Sequence, residues 1–178
     1  WDVLVFKDSS VDSAEFPAGV TPVRGLRFET TRPFTLASAA GGVVQLGRDG
    51  ISADTTAEAA VTNVVSAPLD LTFPQVGAWT VDTNVVLRFT SSLQGGLASD
   101  SFTMSGWGGI QFEGDNAALG AELHISNLNV RVTSSTGLGG PDRYTIFHYL
   151  DRQKLSGEAH YAYLKFANDA TNCCTPVG

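Results

Sequence analysis

The stretch from Leu69 to Thr90, LDLTFPQVGAWTVDTNVVLRFT, constrains the fold more than any other part of the chain. Leu69, Leu71 and Phe73 alternate with Asp70 and Thr72. After a Pro74-Gln-Val-Gly77 corner, Trp79, Val81, Thr83, Val85, Leu87 and Phe89 alternate with Thr80, Asp82, Asn84, Val86 and Arg88. A period of two over so long a run puts one set of side chains on an apolar face and the other on a wet one, which is the signature of a half-buried strand. Proline presets φ at the first corner position and glycine supplies a positive φ. The stretch therefore reads as two antiparallel strands joined by a tight turn, the building unit of a β-sandwich.

The rest of the chain repeats the pattern. Val3 and Val5 alternate in WDVLVF, and Leu26 and Phe28 lie inward between Val23 and Glu29. Phe34 to Ala40 and Val43 to Leu46 flank Gly41-Gly42 as a hairpin would, and Val61 to Val65 is a β-branched run. Phe102 and Met104 precede Gly106-Trp-Gly-Gly, and Ile110 and Phe112 follow it. Leu123 and Ile125 pass to Leu128, Val130 and Val132 with a shift of register at Ser126-Asn127, as at a β-bulge. Tyr144 to Tyr149 and Tyr161 to Phe166 close the set. The expectation is one all-β domain over residues 1–178, an antiparallel sandwich of about eight to ten strands. Residues 1–15 read as an N-terminal arm or as part of the sheet, and 168–178 as a C-terminal tail. The sequence shows no repeat of fixed period.

Composition narrows the function. Charged residues make up 16% and the formal charge is −7, with three lysines and eight arginines against eighteen acids. Such a surface repels phosphate backbones, so nucleic acid is not an expected partner. Arg24, Arg27 and Arg32 form the densest basic cluster and read as solvated strand positions. No apolar run is long enough to span a membrane. The chain starts at Trp1 rather than Met, which leaves open a removed leader or preceding residues. Cys173 and Cys174 are adjacent, a spacing that bridges only through a strained ring, and read as free thiols or as bonds to other chains.

No catalytic constellation emerges. His124, His148 and His160 would form a metal site only if their strands were neighbours, and none has a recognised ligand spacing. Asp49, Asp54 and Asp169 offer oxygens to calcium, but no stretch has the alternation of a calcium loop. Glu113 and Asp115 form a carboxylate pair of the kind a glycosidase holds about 5 to 10 Å apart. Both, however, lie in one glycine-flanked turn, and the acid a sandwich glycosidase pattern needs at position 118 is Ala118. The expectation is no enzyme, no cofactor and no metal. Trp107 among its glycines reads as a bulge filler or an exposed aromatic, and Trp79 and Trp107 are the candidate platforms for a sugar ligand.

Leu71-Thr-Phe-Pro-Gln-Val-Gly-Ala-Trp-Thr-Val, followed by Asp-Thr-Asn-Val-Val-Leu-Arg-Phe, resembles the middle of tumour-necrosis-factor-like jelly rolls. The resemblance covers about twenty residues and the strand count. It departs from that family in lacking an asparagine-glycine hairpin after Arg88 and in its long loop at Ser91 to Asp100. It implies a jelly roll that assembles as a trimer and binds or decorates, as in phage fibre tips and capsid decoration proteins. The expected protein is thus a non-enzymatic structural or binding module on a virion or extracellular surface, contacting other surface proteins or glycans. The alternatives are a secreted carbohydrate-binding module or a sandwich glycosidase. Both terminal strands are apolar on both faces, so Phe147, Tyr149, Tyr161 and Tyr163 are the expected homotrimer contacts.

Overall fold

The computed structural model describes residues 1–72, 77–140 and 143–150, the last two by backbone only, and the backbone of Tyr161–Ala167 and Thr175–Pro176. Every regular element among the described residues is a strand. The first turn of chain holds β1 (Val3–Lys7) and β2 (Ser13–Phe16), the second β3 (Gly19–Glu29) and β4 (Thr35–Ser38), and the third β5 (Gly42–Asp54) and β6 (Val61–Val65). The fourth holds β7 (Leu69–Asp70), β8 (Trp79–Val81) and β9 (Val85–Phe89), and the fifth β10 (Leu93–Gln94), β11 (Ser101–Gly106) and β12 (Gly109–Phe112). The sixth holds β13 (Glu122–Ser126) and β14 (Asn129–Val132). Three more strands follow: β15 (Tyr144–Leu150), β16 (Tyr161–Ala167) and β17 (Thr175–Pro176).

Pairing decides the architecture. One sheet runs β1-β3-β5-β8-β11-β13-β15-β16-β17 and the other β14-β12-β9-β6-β4-β2. All pairings from β1 to β15 are parallel, and only β16 and β17 join antiparallel. Each strand is thus hydrogen-bonded to its equivalent one turn further on, and the chain winds as a parallel β-solenoid of six turns, one strand of the second sheet per turn. This overturns the antiparallel jelly-roll sandwich. Parallel neighbours cannot be joined by a two-residue hairpin, so each connection has to travel round the coil. The turn length varies: Gly109 lies opposite Asn129, but Thr35 lies opposite Val64. A repeat does exist, with corners of unequal length that mask it from a fixed-period search.

The supposed hairpins dissolve accordingly. β7 and β8 both pair parallel with β5, so the arms of the opening stretch are successive pieces of one sheet. Between Val81 and Val85 the eleven-residue alternation is broken by a corner, Asp82-Thr83-Asn84, with Asn84 at φ 64. Thr83, expected inward, is exposed there. Similarly β4 and β5 lie in different sheets rather than in a hairpin, and the proposed bulge at Ser126-Asn127 is the corner between β13 and β14, where Asn127 has φ 57. β1, in the segment read as arm or sheet, pairs with β3 along its whole length.

The core is a set of ladders running along the coil axis. Leu36, Val65, Phe89, Phe112 and Val132 succeed one another in the second sheet, and Trp79, Met104, Ile125 and Phe147 in the first. Trp79 bridges the two, stacked on Phe89 at 5.0 Å and edge-on to Phe102 at 4.8 Å between ring centroids. Each fully buried aromatic or aliphatic side chain contributes about 1.5–3 kcal/mol. Polar exceptions are placed where corners need them. Buried Asn116 accepts from the Leu93 N–H at 2.7 Å and donates to the Gly137 carbonyl at 2.7 Å, tying three segments together. Asn116→Ala strands both groups and is expected to cost about 2–4 kcal/mol, read as a lower urea midpoint with an unchanged m-value.

Candidate binding groove

The outer face of the second sheet carries its own ladders. Thr62, Val86, Gly109 and Asn129 lie in one row, and Val64, Arg88, Gln111 and Arg131 in the next. Gly109 has no side chain to fill its place between Val86 and Asn129, and a methyl there would touch Val86 Cγ2 at 3.2 Å. The gap floors an open groove of about 360 Å³, at the lower end of the range typical of small-ligand sites. Its walls come from the corner Thr83-Asn84, from Trp107, and from Gln111, Asn129 and Arg131.

Trp107 is 46% exposed at this rim. Its backbone is pinned: the Trp107 and Gly108 N–H groups both donate to the Val81 carbonyl, at 3.0 and 3.1 Å, and the Asn129 N–H donates to the Gly108 carbonyl at 3.0 Å. Asn84, which also lines the groove, donates from Nδ2 to the Ala57 and Glu58 carbonyls at 3.4 and 3.2 Å. The groove thus presents an indole on a pinned backbone beside amide and guanidinium groups. Trp79, the second candidate platform, is 0% exposed, its alternation having placed it in the core.

The carboxylates considered for glycosidase chemistry are otherwise engaged. Glu113 receives a two-pronged bond from Arg88, Nε to Oε1 at 2.9 Å and Nη2 to Oε2 at 2.8 Å, and that hydrogen bonding, with the charge of Arg88 and Arg131, holds its carboxyl below the usual range. Asp115 accepts from the Thr136 hydroxyl at 2.6 Å and the Ala117 N–H at 3.0 Å, which lowers it likewise. Neither is poised to donate a proton near neutral pH. Asp49 pairs with Arg24 at 2.6 Å and Asp54 with Arg27 at 3.8 Å, and Asp169 lies outside the described residues.

The expected trimer contacts divide. Phe147 continues the inward ladder and packs on the core, so it is not part of an outer aromatic row. A side chain that looks spare on the second face of a sandwich strand is, at Phe147, in the coil interior. The side chains of Tyr149, Tyr161 and Tyr163 lie outside the described residues, as do His160, Cys173 and Cys174. The condition set on the histidines, that their strands be neighbours, is met for one pair: parallel register brings His124 and His148 onto adjacent strands. No spacing rule finds it, since the two come from successive turns. No helix among the described residues is long and apolar enough to cross a membrane.

Fold and groove together define a class: a parallel β-solenoid with an aromatic-rimmed groove along one outer sheet face. No family model, curated protein or solved structure matches the chain.

Proposed function

We propose that this protein is a non-enzymatic, glycan-binding module of an extracellular surface, and that the groove between Trp107 and Arg131 receives the sugar. The observation that carries the reading is the half-exposed Trp107, its backbone pinned, at the edge of a groove whose remaining polar side chains are Thr83, Asn84, Gln111, Asn129 and Arg131. A tryptophan face packs on the apolar C–H face of a pyranose. Planar amides and a guanidinium match the hydroxyls around the ring with both donors and acceptors. A pinned backbone lowers the ordering cost of binding. Hydrolysis is not part of the proposal, because Glu113 and Asp115 are committed to Arg88 and Thr136.

Screening a panel of immobilised oligosaccharides, then titrating a positive one by calorimetry, tests it. Trp107→Ala is expected to weaken binding by at least about thirtyfold, as removal of a central aromatic contact usually does. Binding by the variant equal to wild type, or no binding to any glycan in the panel, would overturn the reading. A homotrimer is a separate proposal. With Phe147 turned inward it would rest on Tyr149, Tyr161 and Tyr163, and light scattering at micromolar protein, reading one or three times 18.8 kDa, decides it.

A further inference from the structure

We propose that the sugar taken by the groove carries a carboxylate and that Arg131 selects it, an inference that rests on the reading of the groove as a glycan site. The class of ligand is an oligosaccharide with an isolated uronic acid. Among the described residues that line the groove, Arg131 is the one cation and none is an aspartate or glutamate. That is the reverse of the chain as a whole, which has eighteen acids against eleven basic residues. A carboxylate entering the groove meets a guanidinium and no like charge on its lining.

Arg131 is also available. It is exposed on β14, beyond which its sheet has no further strand. Lys7, Arg24, Arg27, Arg48 and Arg88 each form an ion pair with a carboxylate, and Arg32 donates to the Ser9 carbonyl. Among the described residues no such partner reaches the Arg131 guanidinium. Glu113 feels its charge, but both Glu113 oxygens are held by Arg88, at 2.9 and 2.8 Å, and those bonds come first among the causes that lower the Glu113 carboxyl. An unpaired guanidinium presents a planar fork whose N–H groups match the two oxygens of a carboxylate.

Register sets the pose. Val86, Gly109 and Asn129 share one row across β9, β12 and β14. Asn84 stands two residues before that row and Arg131 two residues after it, so they lie at diagonal ends of the groove. Exposed Asp82 precedes the Asn84 corner, and exposed Glu58 accepts from Asn84 through its carbonyl, which puts negative charge at that end. At the other end Glu113 is neutralised by Arg88, so Arg131 leaves a positive field that turns the acidic group of a bound sugar toward β14. With a pyranose beside Trp107 and over the Gly109 gap, the C6 carboxylate of a uronic acid extends to Arg131, and the amides of Gln111 and Asn129 are left for hydroxyls. The net charge of −7 sets the other bound, because it repels a chain with an anion on every sugar.

The test titrates the ¹⁵N-labelled chain with three forms of one methyl glycoside, the uronide, the neutral hexoside and its 6-sulfate, each in the gluco, galacto and manno series. Nuclear magnetic resonance follows the Trp107 Nε1–H and the Arg131 Nε–H. In the series that binds, the uronide is expected to bind at least about tenfold tighter than its neutral twin, as a charge-assisted pair of hydrogen bonds allows, and it alone should shift Arg131. Arg131→Gln should bring that ratio close to one, and Arg131→Lys, which keeps the charge and loses the fork, should keep only part of it. Equal affinity for acid and neutral forms, or a preference that survives Arg131→Gln, overturns the carboxylate proposal and leaves the glycan site standing. Preference for the sulfate overturns the choice of anion. If the variant does not fold, the wild-type chain decides: an Arg131 Nε–H unmoved by the uronide refutes the assignment. No shift of Trp107 with any sugar overturns the glycan reading itself.

Discussion

Trp79→Ala is expected to remove about 3–5 kcal/mol of unfolding free energy, the largest loss from any single side-chain truncation in the chain. Trp79 is fully buried in the fourth of six turns, where it meets Phe89 from the facing sheet and Phe102 from the turn above, and it stands opposite Met104 in the ladder. A solenoid is stabilised turn by turn through nearest-neighbour interfaces, so a void at a middle turn weakens both interfaces that flank it. Two companion variants sharpen the result. Phe6→Ala removes an aromatic that stacks on Phe28 at 5.0 Å but sits half-buried in the first turn, and should cost clearly less. Trp79→Phe keeps most of the ring contact and deletes a buried Nε1–H that has no hydrogen-bond partner, so part of its loss is offset. Urea denaturation of the three variants checks the ranking. Equal losses for Trp79→Ala and Phe6→Ala would contradict the turn-by-turn account.

Gly106→Ala should be nearly as damaging, and by a different route. Gly106 ends β11 with φ 141, in a region that side chains avoid, which alone costs about 1–3 kcal/mol. A Cβ there would also run into the Val81 carbonyl oxygen, the same atom that accepts from the N–H groups of Trp107 and Gly108. The corner must therefore shift, and with it the indole at the groove rim. The expected outcome is a lowered melting temperature together with loss of the glycan affinity proposed for the groove, although no groove side chain has been changed. Gly19→Ala is the control: its φ is 90 but nothing lies within 4 Å of the added methyl, so it carries the backbone cost alone and leaves the groove intact. A Gly106→Ala variant with wild-type stability would mean that the corner is softer than its close contacts indicate.

Much of the local structure was legible before the fold. Of the inward set of the opening stretch, Leu69, Leu71, Trp79, Val81, Val85, Leu87 and Phe89 are buried, Thr83 is exposed and Phe73 lies outside the described residues, and Val61 to Val65 is a strand, as its β-branched side chains favour. Thr83 failed because alternation carries across a three-residue corner whenever both flanking strands face the same core, so a bent path and a straight one look alike. Trp79 and Trp107 were equally eligible as platforms by residue type. Only the corner at Gly106 to Gly108, pinned to Val81, separates the exposed ring from the buried one.

Period-two alternation, glycine-rich corners and the scarcity of helical pattern determined by themselves that the chain is all-β, with one face of each strand in a common core. Those signals are the same for an antiparallel sandwich and for a parallel coil with a solvated exterior, because alternation reports which face is buried and is silent on which strand lies alongside. Strand partnership was decided by the tertiary structure, where backbone groups of one turn must be satisfied by the next and the corner lengths set the register. The groove, the Glu113 pairing and the meeting of His124 with His148 all follow from that choice, since each joins residues a full turn of the coil apart.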